Sequence, residues 1–250
     1  MSGSVHAQSI PVLHLATVDS TMLEARRRIA SGAVLGPFMI RSDEQSGGYG
    51  RHGRAWHSPR GGIWATLAWP MDDRMDDRAL GLRIGVAACR LIEELLGSAA
   101  DIRLKWPNDV LVGGSKICGV LCERVSERSA PWLLVGVGIN ANNEPATLPT
   151  GLRRPATSLA LETHRESDVG EVARRLVHHL GEALCRPLSE DTLRWAAARL
   201  WQLDQPIRAT TSQAGQIVEG KLSGLSADGR LVIETPSGRV ILPEGSELLS

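Results

Sequence analysis

The sequence predicts an α+β fold: a mixed, mostly antiparallel sheet backed by helices, with a small β-barrel at the C-terminal end. Three observations predict it. Strand-like and helix-like segments alternate without the regular strand–helix–strand rhythm of a parallel sheet. Two apolar strands, Val110 to Val112 and Ile117 to Val125, flank the hairpin signal Gly113-Gly114-Ser115. From Gln205 on, short β-like pieces are separated by Ala214-Gly215, Asp228-Gly229 and Ser237-Gly238, the turn spacing of a small barrel.

The elements follow in order. Val12 to Val18 is apolar and β-branched, a first strand. Thr21-Met22-Leu23-Glu24 fits a capping box, Met22, Ala25 and Ile29 line one helical face, and Gly32 ends the helix. Pro37 to Ser42 reads as a short buried strand. Asp43 to Gly62 is a loop in which Gly47, Gly48, Gly50, Gly53, Gly61 and Gly62 alternate with Arg51, Arg54 and Arg60. Ile63 to Trp69 is a strand, and Asp76 to Leu96 a long helix stopped by Gly97. Strands over Ile102 to Trp106 and Trp132 to Asn140 bracket the hairpin. Asp168 to Cys185 and Asp191 to Trp201 read as helices. A boundary near Leu203 divides a main domain, 1–203, from a companion, 204–250. At roughly 45 residues the companion is near the lower limit for independent folding and is expected to lean on its neighbour.

Composition narrows the function. The 250 residues are 42% hydrophobic and 22% charged, enough for a large core. Lys and Arg number 28, as do Asp and Glu, so no basic excess exists to grip nucleic acid. No apolar run approaches the roughly 18 residues of a membrane span. Met1 to Gln8 lacks the basic start and apolar stretch of a signal peptide. Four cysteines make no disulfide framework, and Cys118 and Cys122, evenly spaced on a strand, read as core residues. A reduced, cytoplasmic protein is expected.

Four segments could carry chemistry. In the Gly/Arg loop, glycines let backbone N–H groups approach an anion and arginines add charge-assisted bonds; a solvated loop is the competing reading. It has neither the ending of a P-loop nor the helix of a dinucleotide site. In Lys105-Trp106-Pro107-Asn108-Asp109, Pro107 cannot join a ladder, so the chain either bulges and throws out polar side chains or makes a strand-to-strand turn capped by Asn108 and Asp109, and the segment taken alone favours the turn. Lys116 enters a buried strand, where it needs an anion unless it is a solvated hairpin lysine. Gly136-Val137-Gly138-Ile139-Asn140 puts glycines in a strand, where backbone meets a ligand or neighbour closely.

Taken in order, Asp19-Ser20-Thr21, Gln45 to Trp56 (QSGGYGRHGRAW), Ser58-Pro59, Lys105 to Asp109 (KWPND), Lys116 to Glu123 (KICGVLCE), Gly136 to Asn140 (GVGIN) and Ala156-Thr157-Ser158-Leu159 form a familiar set. The set resembles the biotin protein ligases, or biotin–[acetyl-CoA-carboxylase] ligases, in detail over residues 11–160 and more loosely beyond. The resemblance implies a class II synthetase-like biotin/lipoate ligase fold with an SH3-like barrel. It implies that biotin and ATP with Mg²⁺ form biotinyl-5′-AMP, which then acylates a lysine of a biotin carboxyl carrier domain.

The resemblance also implies roles. Lys116, Arg51, Lys105 and Asp109 would be catalytic, Lys116 as main electrostatic catalyst and Asp109 as general base. Ser20, Thr21, Met22, Gln45, Tyr49, Gly50, Arg51, Lys116 and Gly119 would hold biotin. Gly48, Arg51, Arg54, Trp56, Asn108, Lys116 and Asn140 would hold the adenylate, with Trp56 stacked near the adenine and the loop closing over it. No protein metal ligand is assigned; Mg²⁺ arrives with ATP. Partners would be the carrier domain, biotin and ATP, without nucleic acid or membrane, in a monomer or homodimer. The first strand, near Pro11, leaves no room for the DNA-binding domain of the regulatory members, so the short form is expected.

Two positions depart from the common pattern: Met22 stands where many members have Asn, and Tyr49 where many have Arg. The second loses a loop cation, so Tyr49→Arg is expected to lengthen adenylate residence. A lipoate or octanoate ligase is the nearest rival, and a nonenzymatic binding module the reading from another class. RHGRAW and KWPND favour biotin, and the intact cations favour an enzyme.

Overall fold

Seven strands make the larger sheet of the computed structural model, which describes residues 10–72, 75–127, 130–144, 155–211, 216–243 and 245–249. They are β1 (Val12–Leu15), β2 (Phe38–Ser42), β3 (Ile63–Pro70), β4 (Ile102–Lys105), β5 (Asp109–Val112), β6 (Ser115–Glu127) and β7 (Ala130–Ile139), in the order β1-β2-β3-β7-β6-β5-β4. Only the β1–β2 pair is parallel, because helix α1 (Thr21–Ser31) crosses over between them; the other pairs are antiparallel. The expected mixed sheet is present.

Helix α1 lays Met22, Ala25 and Ile29 on a second apolar cluster with Phe38, Ile40, Trp132 and Leu134. Gly32 ends it in the left-handed region, φ 73°. The expected capping box does not form. Ser20 is the N-cap and its side chain caps nothing. The first turn is satisfied from outside: Thr21 donates its N–H and its hydroxyl to Oε1 of Gln45, at 2.8 and 3.0 Å. Strand β1 is also shorter than expected, since Val18 leaves it to bridge Gln45.

Helix α2 (Leu80–Leu96) is buried nearly all round between the sheet and α4 (Val169–Cys185). It starts four residues later than the apolar pattern suggested. The Asp76 carboxylate is taken by Arg78 and by the Leu188 N–H, and Ala79 has φ 47°, so these residues form a pinned turn. Arg83 is 4% exposed and sends its guanidinium to the carbonyls of Asp76, Ala183 and Arg186, closing the C-terminus of α4. Asp168 caps the other end of α4 through the N–H groups of Gly170 and Glu171.

After the short α3 (Leu159–Thr163), α5 (Glu190–Ala197) begins at the Ser189 cap and stops before Trp201. Residues 199–201 leave it to pair with β4: Leu104 donates to Arg199 and accepts from Trp201, at 2.8 and 2.9 Å. The β5–β6 turn is the anticipated two-residue type, with positive φ at Gly113 and Gly114 (53° and 82°).

The second sheet is antiparallel and five-stranded. Its strands are β8 (Pro206–Thr210), β9 (Ile217–Leu225), β10 (Leu231–Thr235), β11 (Gly238–Ile241) and β12 (Glu247–Leu249), ordered β11-β10-β9-β8-β12. The predicted turn at Ala214-Gly215 lies outside the described residues. This sheet leans on the first. Ile207, Leu222, Leu231, Ile233 and Leu248 join the main core. Trp106 Nε1 donates to the Gly229 carbonyl at 3.0 Å. Among the described residues no helix is long and apolar enough to cross a membrane.

Candidate active site

A cavity of about 280 Å³ opens over the β6–β7 pair. Its floor is a strip of sheet without side chains. Gly119 and Gly138 are direct cross-strand partners, and Gly136 faces Leu121 two residues on. The missing side chains admit two neighbours. A Cβ on Gly138 would lie 2.5 Å from Nε1 of Trp56, and one on Gly136 would lie 2.9 Å from Sδ of Met22. Trp56 therefore lies on the floor, its ring edge-on to Trp64 at 6.4 Å. The indole N–H of Trp56 is buried and has no partner among the described residues.

Lys116 stands over this ring, its Nζ 4.8 Å from the centroid and 2.7 Å from Oδ1 of Asp109. The β5–β6 pairing positions both residues, and each side chain is about a quarter exposed (25% and 24%). Of the two readings of the Pro107 segment, the structure has the turn, joining β4 to β5: Lys105 and Asp109 face each other across it, and Asn108 donates its N–H to the Lys105 carbonyl. The amide of Asn108 donates to the Val120 carbonyl, which ties this turn to β6. Asn140 holds the same region from the far side. It donates to the Lys116 carbonyl at 3.5 Å and accepts from Asn143 at 3.1 Å.

The Gly/Arg loop is a narrow hairpin. Trp56 donates its N–H to Gly48, Gly50 to Arg54, and Gln45 to Ser58. Its tip, Arg51–Gly53, is a single 3-10 turn with His52 at φ 58°. The tip rests on the second sheet. Nη2 of Arg54 lies 2.6 Å from both oxygens of Glu247, His52 Nε2 lies 2.9 Å from one of them, and Arg51 reaches the Gly245 carbonyl at 3.4 Å. Burial opposes ionisation of Glu247, but Arg54, Arg51 and His52 outweigh it and hold the carboxyl below its ordinary range.

The opposite end of the cavity is polar and pre-wired. Thr66 donates to Thr21 at 2.8 Å, Thr21 to Gln45, and Gln45 to Ser58 at 2.8 Å. Tyr49 roofs this end. Its ring packs on the cluster holding Met22 and Leu121, and its hydroxyl donates to Glu123 at 3.3 Å. Burial, together with the Glu123 carboxylate, pushes the phenol up to about 12. The two departures from the family pattern, Met22 and Tyr49, thus belong to one cluster.

Lys116, Arg51, Lys105, Asp109, Ser20, Thr21, Met22, Gln45, Tyr49, Gly50, Gly119, Arg54, Trp56, Asn108 and Asn140 all line the cavity. Gly48 does not. It sits behind the wall, where a Cβ would come within 2.6 Å of the Trp56 carbonyl and 2.7 Å of the Ser58 hydroxyl. Sequence reasoning missed His57, Glu247 and Leu248, which also line the space, as does Ala156 of the last motif, which was given no role. No local signal marks Glu247, because its partners lie almost two hundred residues earlier. Among the described residues no cluster of three His, Cys, Asp or Glu side chains is placed to hold a metal. The cavity's carboxylates, Asp109 and Glu247, are both engaged by cations.

Residues 15–140 match the Biotin/lipoate A/B protein ligase family, and residues 203–246 match the Biotin protein ligase C terminal domain. The chain is 30% identical over 228 residues to the bifunctional ligase/repressor BirA of Bacillus subtilis, covering 88% of this chain and 68% of that one. It is 30% identical over 240 residues to the biotin–[acetyl-CoA-carboxylase] ligase of Paracoccus denitrificans, covering 92% and 96%. Its fold is similar to that of the biotin protein ligase from Aquifex aeolicus in complex with biotin and ATP. That pair has a TM-score of 0.80 and 26% identity, over 96% of this chain and 98% of the other.

Proposed function

The chain belongs to the biotin/lipoate A/B protein ligase family, and we propose that it activates biotin with ATP and transfers it to a lysine of a biotin carboxyl carrier domain. It is a biotin–[acetyl-CoA-carboxylase] ligase. One observation carries the site's part in this reading. Lys116, Arg51 and Arg54 line one cavity in which the Trp56 ring lies over the glycine floor and whose far end is a hydroxyl and amide network.

The first step brings a carboxylate against a triphosphate, so like charges must be offset where water is scarce. The biotin carboxylate oxygen attacks the α-phosphorus, the bond to the β-bridging oxygen breaks, and pyrophosphate leaves. Lys116 meets the charge shared by the carboxylate and the α-phosphate, and Arg51 and Arg54 meet the phosphate oxygens. Ser20, Thr21 and Gln45 suit the ureido ring, and the apolar strand residues Leu121 and Val137 suit the thiophane ring and valeryl chain. In the second step the acceptor amine attacks the carbonyl carbon and AMP leaves. Asp109 holds Lys116 in place and accepts the amine proton.

Finer features belong to the same proposal. Mg²⁺ enters as part of the nucleotide substrate, which the engagement of both cavity carboxylates by cations favours. The second sheet closes as an SH3-like barrel, with the boundary near Leu203. The setting is cytoplasmic, which ATP use and four free cysteines favour. A monomer or a homodimer satisfies the site, since one chain lines the cavity. The test is biotin-dependent exchange of pyrophosphate into ATP, followed by labelling of a carrier domain. Exchange driven by lipoate or octanoate but not biotin would move the chain to the sister chemistry.

A further inference from the structure

Two guanidinium groups in the cavity are held in the same way. Arg54 is bonded through Nη2 alone, to Glu247, and Arg51 through Nη2 alone, to the Gly245 carbonyl. Among the described residues, Nε and Nη1 of both arginines make no hydrogen bond. Both residues line the cavity, so the remaining N–H groups are available to an anion there.

The support beneath them is firm. Glu247 pairs with Thr210 across the β12–β8 ladder, its neighbour Leu248 is in the core at 8% exposure, and Ser246 donates to the Pro243 carbonyl at 2.7 Å. The supported loop is the glycine-rich one, which pays a large conformational entropy to become ordered. A carboxylate that merely neutralised Arg54 would take up both faces of its fork. Here it takes one nitrogen and leaves the rest.

We infer that Glu247 is a positioning residue for adenylation: with the Gly245 carbonyl it forms a rack that holds Arg54 and Arg51 by one nitrogen each, oriented toward the nucleotide phosphates. The inference rests on the ligase function proposed above. The rack also explains why the wall of the cavity is completed by a strand of the second sheet, far along the chain from the motifs.

The test is steady-state pyrophosphate exchange with full-length protein. Glu247→Gln keeps the shape and removes the charge. It is expected to raise KM for ATP roughly tenfold, the effect of weakening one charged hydrogen-bonded contact, while KM for biotin and the melting temperature stay near wild type. Glu247→Asp is expected to recover part of the loss. Arg54→Lys keeps the charge but cannot grip the rack and present a second donor, so it should raise KM for ATP as well. Combining it with Glu247→Gln should add little, because both break one contact. If Glu247→Gln fails to fold, the Arg54→Lys result decides. An unchanged KM for ATP in a folded Glu247→Gln protein overturns the rack alone. A lowered KM overturns it too, since the carboxylate would then be competing with phosphate. Absence of exchange in the wild type overturns both the rack and the ligase function.

Discussion

Gly138→Ala tests whether the bare floor is functional. The added Cβ would stand 2.5 Å from Nε1 and 2.6 Å from Cε2 of Trp56. Ordinary contact needs about 3.5 Å, so the ring must retreat by about 1 Å. It has little freedom to do so. The backbone N–H of Trp56 donates to the Gly48 carbonyl at 2.9 Å, and the ring is braced by Trp64 and Lys116. Forcing atoms into such a contact typically costs about 1–3 kcal/mol. The displaced ring moves into the volume meant for ligand and shifts the surface beside Lys116. We expect kcat/KM for exchange to fall roughly ten- to a hundredfold, which is about 1.4–2.7 kcal/mol, with little change in secondary structure. Gly36→Ala is the matched control, because a Cβ there meets nothing within 4 Å. Exchange kinetics and thermal melts of both variants decide the matter. Wild-type KM values for biotin and ATP in Gly138→Ala would refute the idea that the floor must stay free of side chains.

Other outcomes follow from the same geometry. Lys116→Ala should lower the adenylation rate by about 10²–10³ with folding preserved, as read by single-turnover formation of biotinyl-AMP; a near-normal rate would remove Lys116 from its role. Tyr49→Arg was expected from sequence to prolong adenylate residence. Because the native hydroxyl already meets Glu123, the new guanidinium should pair there instead, and adenylate dissociation should stay within about threefold of wild type. Arg83→Met strands the Ala183 and Arg186 carbonyls at the end of α4 and the Asp76 carbonyl before α2, and should destabilise the fold by about 2–4 kcal/mol in a denaturant titration. Glu247 has a lowered carboxyl pKa, so its contribution is complete above the ordinary carboxylate range and lost as pH falls through the lowered value. Hydrogen exchange of residues 50–55 should therefore be insensitive between pH 6 and 8 by this route, and should speed up, beyond its intrinsic pH dependence, only in distinctly acid solution.

Much of this was legible where a local rule decides the outcome. The turn at Gly113 and Gly114, the helix stop at Gly32 and the apolar runs of β2 and β7 depend on nearby residues alone. The candidate site was legible through the ordered set of motifs that resembles the biotin protein ligases; taken alone, KWPND reads as a capped turn and Lys116 as a solvated hairpin lysine. What was hidden depends on distant partners. The start of α2 is displaced because Asp76 is engaged by Leu188, and Thr21 takes its first-turn bond from Gln45 rather than from Glu24. Asn108 and Asn140, expected to hold the adenylate, spend amide groups on the backbone around Lys116. The Gly/Arg loop reads as free until Glu247 is placed beside it.

The early end of α5 bears on how this chain behaves in a crowd. A sheet that finishes on a bare strand offers a row of open amides and carbonyls to any passing extended segment, the usual seed of aggregation. On β4 the outward N–H and carbonyl of Leu104 are already spent on Arg199 and Trp201. A few residues unwound from a helix thus act as a hem, stitched where the sheet would otherwise fray into its neighbours. Loosening that hem, by Trp201→Pro, which removes the N–H bonded to Leu104, is expected to give a protein that precipitates on warming.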